Sequence, residues 1–204
     1  MAKVFDVSEY QPDDRIQELI ANESPDGIIL RLGETLEGVP TLDEKFVQFV
    51  NEVAEAGIPY GIYYASHAGD MDQFMKEANW INDRMYEYLG GSFPELGVWW
   101  DVEVPKLMRD DMWPQLRDVI GTMQSWYGND KEKIGIYSGY SFFNQWMDFD
   151  ELASYQIPVW VAQYGYPENS LMAEHPELKH VAWQYADEYE GMSQDVSDWY
   201  GFDA

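Results

Sequence analysis

The sequence predicts an α/β fold, an irregular barrel of eight strands in which helices follow only the early strands. Apolar, β-rich runs alternate with amphipathic stretches about every 25–35 residues, a pattern that builds parallel sheets. After residue 138 this alternation changes, and the last third of the chain is rich in strands. The length of 204 residues is slightly above that of a typical domain, and such chains often form one α/β barrel. We therefore expect one domain over residues 1–204.

Each predicted strand is a short apolar run bounded by turn-forming residues. The eight runs occupy residues 4–10, 27–32, 58–66, 97–104, 133–138, 157–164, 180–186 and 196–201. Strands buried in a parallel barrel are typically almost continuously hydrophobic. A charged residue inside such a run therefore indicates a special position.

Amphipathic stretches follow the first four strands, with apolar residues at the i, i+3, i+4 spacing of a helix. They begin at Asp13 and continue at residues 46–54, 70–89 and 110–126. Gly57 follows the second stretch, where a left-handed glycine commonly ends a helix. No clear helix separates the sixth and seventh predicted strands, so the barrel is expected to be irregular there.

Charge and composition exclude several classes of protein. Twelve Lys and Arg stand against 38 Asp and Glu, giving a formal net charge of −26. Nucleic acids and anionic membranes require basic surfaces, so neither is an expected partner. Hydrophobic residues make up 46% of the chain, too many for a disordered acidic segment. No run resembles a signal peptide or a membrane span, so we expect no membrane insertion.

Two acids interrupt the fourth predicted strand. In a strand, residues i and i+2 share a face, so Asp101 and Glu103 should point the same way with Cα atoms roughly 6.6 Å apart. Active sites of such barrels lie at the C-terminal ends of strands, and Asp6 occupies the matching end of the first strand. Neighbouring carboxylates shift each other's pKa and suit glycosidase chemistry. Alternatively, this is an exposed edge strand with ordinary surface acids.

The chain resembles glycoside hydrolase family 25, the muramidase-type lysozymes that include phage endolysins. The resemblance spans essentially the whole chain and depends on motifs that occur in a fixed order. These are residues 5–8 (FDVS), 29–31 (ILR), 61–63 (GIY), 101–103 (DVE), 136–138 (IYS), 160–164 (WVAQY) and 183–185 (WQY), followed by Gly191 and Asp195. The resemblance implies a TIM-like barrel with five βα units followed by three strands with few helices.

The resemblance also implies the roles of the acids. Glu103 would be the general acid, with Asp101 as the nucleophile or as the stabiliser of attack by the substrate's own N-acetyl group. Asp6 and Asp195 would complete an acidic floor. The bond cut would be the β-1,4 link between N-acetylmuramic acid and N-acetylglucosamine in peptidoglycan. Around Asp195 the chain departs from the family, with Gln194 for an apolar residue and Ser197 for Asn, and Phe49 replaces an Asn farther upstream.

Aromatic residues and one arginine are further candidates for substrate binding. Five aromatic side chains occupy strand positions that the resemblance places along the groove: Tyr63, Tyr137, Trp160, Tyr164 and Trp183. Each could instead be an ordinary core residue. Arg31 on the second strand is predicted to pair with barrel acids; a surface ion pair of little value is the alternative.

The sequence predicts neither a metal nor a cofactor. The three histidines, His67, His175 and His180, lack the paired spacing of a zinc-binding helix. No wall-binding module is recognisable, so wall affinity would come from the groove or from a separate wall-binding partner. Without a signal peptide, the enzyme would be a phage endolysin released with a holin, or a secreted enzyme whose signal has been removed; in either case it would act on the extracellular cell wall.

Two other functions remain open from the sequence. A catalytically inactive glycan-binding protein would keep the aromatic groove without turnover. A barrel hydrolase acting on another amino-sugar polymer, such as chitin, would also carry acids on its fourth strand. That class normally shows a longer acidic run, whereas Trp99 and Trp100 precede Asp101 here.

Overall fold

The computed structural model describes residues 2–202, apart from the side chains of Asn129 and Lys131. Its strands are β1 (Ala2–Val7), β2 (Gly27–Leu36), β3 (Val39–Leu42), β4 (Tyr60–Ala65), β5 (Val98–Asp101), β6 (Ile134–Gly139), β7 (Pro158–Ala162), β8 (Lys179–Tyr189) and β9 (Met192–Trp199). Its α-helices are α1 (Arg15–Asn22), α2 (Phe46–Ala56), α3 (Met71–Leu89), α4 (Met112–Trp126), α5 (Tyr140–Trp146), α6 (Phe149–Tyr155) and α7 (Ser170–Glu174).

Eight of these strands form a closed barrel. Strand β1 pairs in parallel with β2, and the parallel ladder continues through β4, β5, β6, β7 and β8. Strand β9 closes the barrel, antiparallel to both β8 and β1. Helices follow β1, β2, β4, β5 and β6, so the predicted α/β barrel with five βα units is confirmed.

Three details of the prediction are wrong. Strand β2 extends to Leu36 and forms a hairpin with β3, where a loop was predicted. The alternating exposure of β3 gives it no apolar run to recognise. A five-residue helix, α7, lies between β7 and β8, where no helix was predicted. The fourth predicted strand was expected to reach residue 104, but β5 ends at Asp101.

Local signals explain how the helices begin and end. Gly57 adopts the left-handed conformation after α2, with φ of 66°, as the sequence predicts. Asp70 caps α3, because its Oδ1 accepts a hydrogen bond from the Gln73 backbone N–H at 2.9 Å. These signals place α3 directly after the C-terminal end of β4.

Apolar side chains form two layers separated by the barrel wall. Inside the barrel, Trp99 packs edge-to-face against Trp160 and Trp199, with ring centroids 5.7 and 5.9 Å away. The outer layer packs the opposite faces of the strands against the helices and contains Trp100 and Tyr64. Neighbouring residues along a strand therefore face different layers. The interior tryptophans fill the middle of the barrel, so a pocket inside the barrel can open only at its ends.

No helix within residues 2–202 has both the length and the apolar character needed to cross a bilayer.

Candidate active site

An acidic pocket opens at the C-terminal ends of the parallel strands. It has a volume of about 260 Å³. Its lining comprises four acids, four aromatic residues and one amide: Asp6, Asp101, Glu103, Asp195, Tyr63, Tyr137, Trp160, Tyr164 and Gln184. All four predicted acids and four of the five predicted aromatic residues therefore meet in one place. This is the end of the barrel at which such folds place their active sites.

Asp6 and Asp195 come from the strands at the two ends of the chain. Because β1 and β9 are paired, Asp6 lies directly opposite Asp195. Asp6 is buried, with 7% of its surface exposed. Its Oδ2 accepts a hydrogen bond from Gln184 Nε2 at 2.9 Å. The barrel closure thus holds these two carboxylates side by side.

Asp101 and Glu103 reach the pocket by different routes. Asp101 is the last residue of β5, whereas Glu103 lies beyond the strand, so the predicted shared strand face does not account for their proximity. The segment is fixed between them, because Val102 N–H donates to the Tyr137 carbonyl at 3.1 Å and Ser138 Oγ donates to the Val102 carbonyl at 2.7 Å. Glu103 consequently stands at the exposed rim while Asp101 is half-buried.

Burial raises the pKa of every acid in the pocket, and repulsion from other carboxylates adds to this shift for Asp6, Asp101 and Asp195. Burial, followed by the charge of Asp195, raises the pKa of Asp6 well above its usual value. Burial and the charge of Glu103 do the same for Asp101. Burial also raises the pKa of Glu103, although the Gly139 backbone N–H favours its charged form. Burial and Asp187 raise the pKa of Asp195 to about 6. The pocket therefore retains protons that isolated carboxylates would lose.

Aromatic side chains form the wall of the pocket and order its amide. The rings of Tyr137 and Trp160 lie 4.4 Å apart at an angle of 56°. Tyr137 donates its hydroxyl hydrogen to Gln184 Oε1 at 2.8 Å, and Tyr164 donates to the same oxygen. With Oε1 accepting two hydrogen bonds, Nε2 of Gln184 is directed to Asp6.

Gln184 is the site residue that sequence reasoning missed. The motif at residues 183–185 predicts Trp183 as the substrate-binding residue, whereas Gln184 lines the pocket. The register of β7 and β8 would have identified Gln184. Trp160 pairs with Ala182, and both residues face the barrel interior. Counting two residues onward from Ala182 selects Gln184.

Two predicted substrate-binding residues lie outside the acidic pocket. Arg31 is buried and forms ion pairs with Asp43 at 2.6 Å, Glu9 at 2.8 Å and Glu34 at 3.3 Å. The predicted pairing with acids is thus observed, although these acids do not line the pocket. Trp183 is buried with the outer layer, and its indole N–H donates to the Gln163 carbonyl at 3.0 Å.

The departures from the family motifs have structural roles. Ser197 Oγ accepts a hydrogen bond from Trp160 Nε1 at 3.0 Å. Gln194 is fully buried and donates to the Asp6 carbonyl at 2.8 Å. Phe49 is part of the core between α2 and the barrel. Ser197 and Gln194, the two departures on β9, therefore hold Trp160 and the Asp6 backbone in place, and both of these residues line the acidic pocket.

The pocket can perform acid–base chemistry through its carboxylates. It contains a rim carboxyl group that is able to donate a proton, a second carboxylate two residues away, and aromatic surfaces suited to the C–H faces of sugars. Across residues 2–202, no cluster of three or more His, Asp or Glu is arranged to hold a metal ion.

Solved structures share the fold over nearly the whole chain. The modular autolysin LytC from Streptococcus pneumoniae is 25% identical, with a TM-score of 0.77 over 98% of this chain and 46% of that one. A structure of LytC with a synthetic peptidoglycan ligand gives 24% identity and a TM-score of 0.73, with the same shares of the two chains. This chain thus spans about half the length of LytC.

Two further structures are similar over their own lengths. The bacterial lysozyme from Streptomyces coelicolor is 19% identical, with a TM-score of 0.74, covering 98% of this chain and 92% of that one. The catalytic domain of endolysin ply40 from bacteriophage P40 of Listeria monocytogenes is 21% identical, with a TM-score of 0.71 and coverage of 97% and 92%.

A comparison with curated protein sequences finds no match. The family model for glycosyl hydrolases family 25 matches residues 5–193, which include β2 to β8 and all of the pocket acids except Asp195. The chain therefore belongs to glycosyl hydrolases family 25.

Proposed function

We propose that this chain is an N-acetylmuramidase that hydrolyses the β-1,4 bond between N-acetylmuramic acid and N-acetylglucosamine in bacterial peptidoglycan. The observation that carries the proposal is the meeting of Asp101 and Glu103 at the mouth of an aromatic-walled pocket. Similar structures include an autolysin, a bacterial lysozyme and an endolysin, which supports a cell-wall substrate.

Glu103 is the general acid in this mechanism. Its raised pKa favours the protonated carboxyl group that an acid requires, and its position at the rim gives access to the glycosidic oxygen. Proton transfer to that oxygen allows the bond to the anomeric carbon to break. The resulting Glu103 carboxylate then takes a proton from the incoming water.

Asp101 stabilises the positive charge that develops at the anomeric carbon, by one of two routes. It attacks that carbon directly, or it orients the substrate's acetamido group, whose oxygen attacks instead. Asp6 and Asp195 form the floor, where the amide of Gln184 fixes Asp6. Tyr63, Tyr137, Trp160 and Tyr164 bind the sugar rings. Arg31 acts from outside the pocket, because its charge lowers the pKa of Asp101.

The wall is the proposed site of action. An endolysin among the similar structures favours release from a host cytoplasm with a holin over export. Tight wall binding would use the groove and, in the cell, a separate wall-binding partner. Fractionation of lysing host cells, with and without the holin, tests this route.

The reaction is tested by digesting purified peptidoglycan, reducing the products with borohydride and analysing them by mass spectrometry. We expect soluble muropeptides that carry reduced muramic acid at their ends. Reduced glucosamine ends would contradict the bond assignment, and cleavage of chitin in a parallel digest without cleavage of peptidoglycan would favour the chitinase alternative. Binding without soluble products would favour an inactive glycan-binding protein. The Glu103→Gln variant is the matched control.

The two routes for Asp101 give different intermediates. Direct attack predicts a covalent glycosyl-enzyme that a 2-fluoro sugar substrate traps, visible as added mass on the peptide containing Asp101. Attack by the acetamido group predicts strong inhibition by a thiazoline analogue of the cyclic intermediate and no trapped peptide. Both measurements use the intact chain.

A further inference from the structure

A second cavity lies on the outside of the barrel wall, and we call it the outer cavity. Its volume is about 480 Å³, within the range of about 300–1,000 Å³ typical of small-molecule sites. The residues that define its chemistry are Glu168, Asn169, Met172, Trp183, Asp198 and Tyr200. Trp183 and Gln184 are neighbours on β8 but line different cavities, because successive strand residues face opposite sides.

The loop between β7 and α7 separates the two cavities. Tyr164 lies on its acidic-pocket side, whereas Glu168 and Asn169 lie on its outer-cavity side. The Gln163 carbonyl at the base of this loop accepts the Trp183 indole hydrogen, which fixes the ring under the loop. The two cavities are thus lined by opposite ends of the same loop.

The walls of the outer cavity combine flat apolar surfaces with hydrogen-bond acceptors. Trp183 and Tyr200 contribute rings, and Met172 is 41% exposed. The carboxylates of Glu168 and Asp198 can accept hydroxyl hydrogens. Burial raises the pKa of Asp198, which shows that its carboxylate has lost part of its hydration. None of the described residues that line this cavity is Lys, Arg or His, so an anionic ligand does not fit.

Asn169 provides an independent sign of a missing ligand group. The residue is 5% exposed, and its Oδ1 caps α7 by accepting the Met172 N–H at 3.0 Å. Its Nδ2 is buried at this cavity and makes no hydrogen bond of normal geometry to the described residues, although the Tyr200 hydroxyl lies beside it. An unpaired buried donor is unfavourable, and an acetamido or hydroxyl oxygen from a ligand would satisfy it.

We propose that the outer cavity is a binding site for an uncharged N-acetylated sugar unit of a glycan chain. Rings for the C–H faces, carboxylates for the hydroxyl groups and an amide donor for the acetamido oxygen match this ligand class. The proposal rests on the proposed function, since the glycan bound here would be the same polymer that is cut in the acidic pocket. The site would keep the enzyme bound to the glycan chain of the wall during repeated cleavage.

The test uses the Glu103→Gln protein, which binds without turnover, and tetra-N-acetylchitotetraose as the probe. In NMR titrations we expect the Met172 methyl and Asn169 side-chain amide signals to shift along with the Gln184 amide signal. Shifts at Gln184 without shifts at Met172 or Asn169 would overturn the outer site but leave the acidic pocket intact. Shifts at Met172 and Asn169 alone would support the outer site and count against the acidic pocket as a sugar site.

Three variants identify the contributing groups. Met172→Ala and Tyr200→Ala remove apolar surface, while Asn169→Asp keeps the helix cap and removes the donor. Each should weaken binding at the outer site at least fivefold and reduce lysis of insoluble peptidoglycan, with cleavage of short soluble fragments unchanged. Tyr86→Ala, an exposed tyrosine on α3, is the matched control. Affinities within twofold of the control in all three variants would overturn the proposal, as would self-association through this surface.

Discussion

Buried carboxylates occur in two regions of the molecule, and their surroundings differ. In the Glu77 cluster, formed by Glu77, Thr35, Tyr64 and Ser66, the fully buried carboxylate accepts hydrogen bonds from Thr35 Oγ1 and Ser66 Oγ, both at 2.6 Å. The His67 backbone N–H also favours the charged form of Glu77. In the acidic pocket, one side-chain donor, Gln184, holds Asp6.

Burial raises the pKa in both regions, but the hydrogen bonding differs. The hydroxyl groups occupy both oxygens of Glu77, which ties α3 to β2 and to the end of β4. The pocket acids face open space, where a substrate can meet them. A raised pKa by itself does not mark a residue as a candidate catalytic acid, whereas a raised pKa together with an open cavity does.

The largest expected effect separates the two regions by activity. Glu103→Gln removes the proposed general acid and should lower kcat by about 10²–10⁴-fold, with little change in the melting temperature. Glu77→Gln is the matched control and should keep kcat within a few fold. Initial rates on purified peptidoglycan measure both. Equal losses in the two variants would show that this comparison assigns the wrong acid.

In a third arrangement, the buried cation Arg31 pairs with carboxylates, and its removal should lower the free energy of unfolding. Arg31 is 6% exposed. The Arg31→Gln substitution leaves the carboxylates of Asp43, Glu9 and Glu34 without their cationic partner. Breaking a buried pair costs about 3–5 kcal/mol, measurable by urea denaturation. Arg84→Gln, which breaks a more exposed pair with Glu87, should cost about 1 kcal/mol or less. A raised KM with unchanged stability would instead make Arg31 a direct substrate contact.

The pH dependence of stability sharpens the comparison further. Burial raises the pKa of Glu77 from 4.5 to about 7, so the folded chain keeps a proton that the unfolded chain loses. The stability from this group is fully present below pH 4.5 and is lost as the pH rises through about 7. The shift corresponds to roughly 3 kcal/mol.

Glu77→Gln should therefore raise the melting temperature at pH 8 by several degrees, given roughly 2–4 °C per kcal/mol in a chain of this size. The same substitution should have little effect at pH 4. Calorimetry across this range measures the difference. Glu55→Gln, at an exposed position on α2, should change neither value. A lower melting temperature of Glu77→Gln at pH 8 would mean that the charged network stabilises the fold.

The smallest effect concerns the charge of the whole chain. A net charge of −26 repels walls that carry anionic teichoic acids, and salt screens this repulsion over a Debye length of about 10 Å at 0.1 M. Lysis of such walls should therefore rise with moderate salt or divalent cations, whereas cleavage of neutral soluble fragments should not. Turbidity assays on walls with and without teichoic acid test this, and a steady loss of lysis from low salt upward would contradict it.

Periodicity was sufficient to predict the barrel, but not the register of its strands. The apolar runs before Asp101 and around Trp160 identify strands because burial on both faces needs continuous hydrophobic sequence. Trp183 lies on the outer face of β8 and does not line the acidic pocket, because a shift of one residue exchanges the two faces of a strand. Only the pairing of Trp160 with Ala182 establishes that Gln184 faces inward.

The candidate acids were predictable because charged residues at strand ends are costly without a function. Asp6 and Asp101 stand out in apolar runs, and the structure brings both to the acidic pocket. The β2–β3 hairpin was not predictable, since Pro40 and alternating exposure conceal it. The ion pairs of Arg31 depend on this folded arrangement, because Asp43 directly follows β3.

The antiparallel strand β9 completes the pocket by pairing with β1, which is far from it in the sequence. Residue 6 and residue 195 lie side by side, and residue 184 bonds to residue 6 across most of the chain. Contacts between such distant positions form slowly during folding. During synthesis, a nascent chain whose final strand is still inside the ribosome has no complete acid floor, so hydrolytic competence should arise only after translation has passed β9.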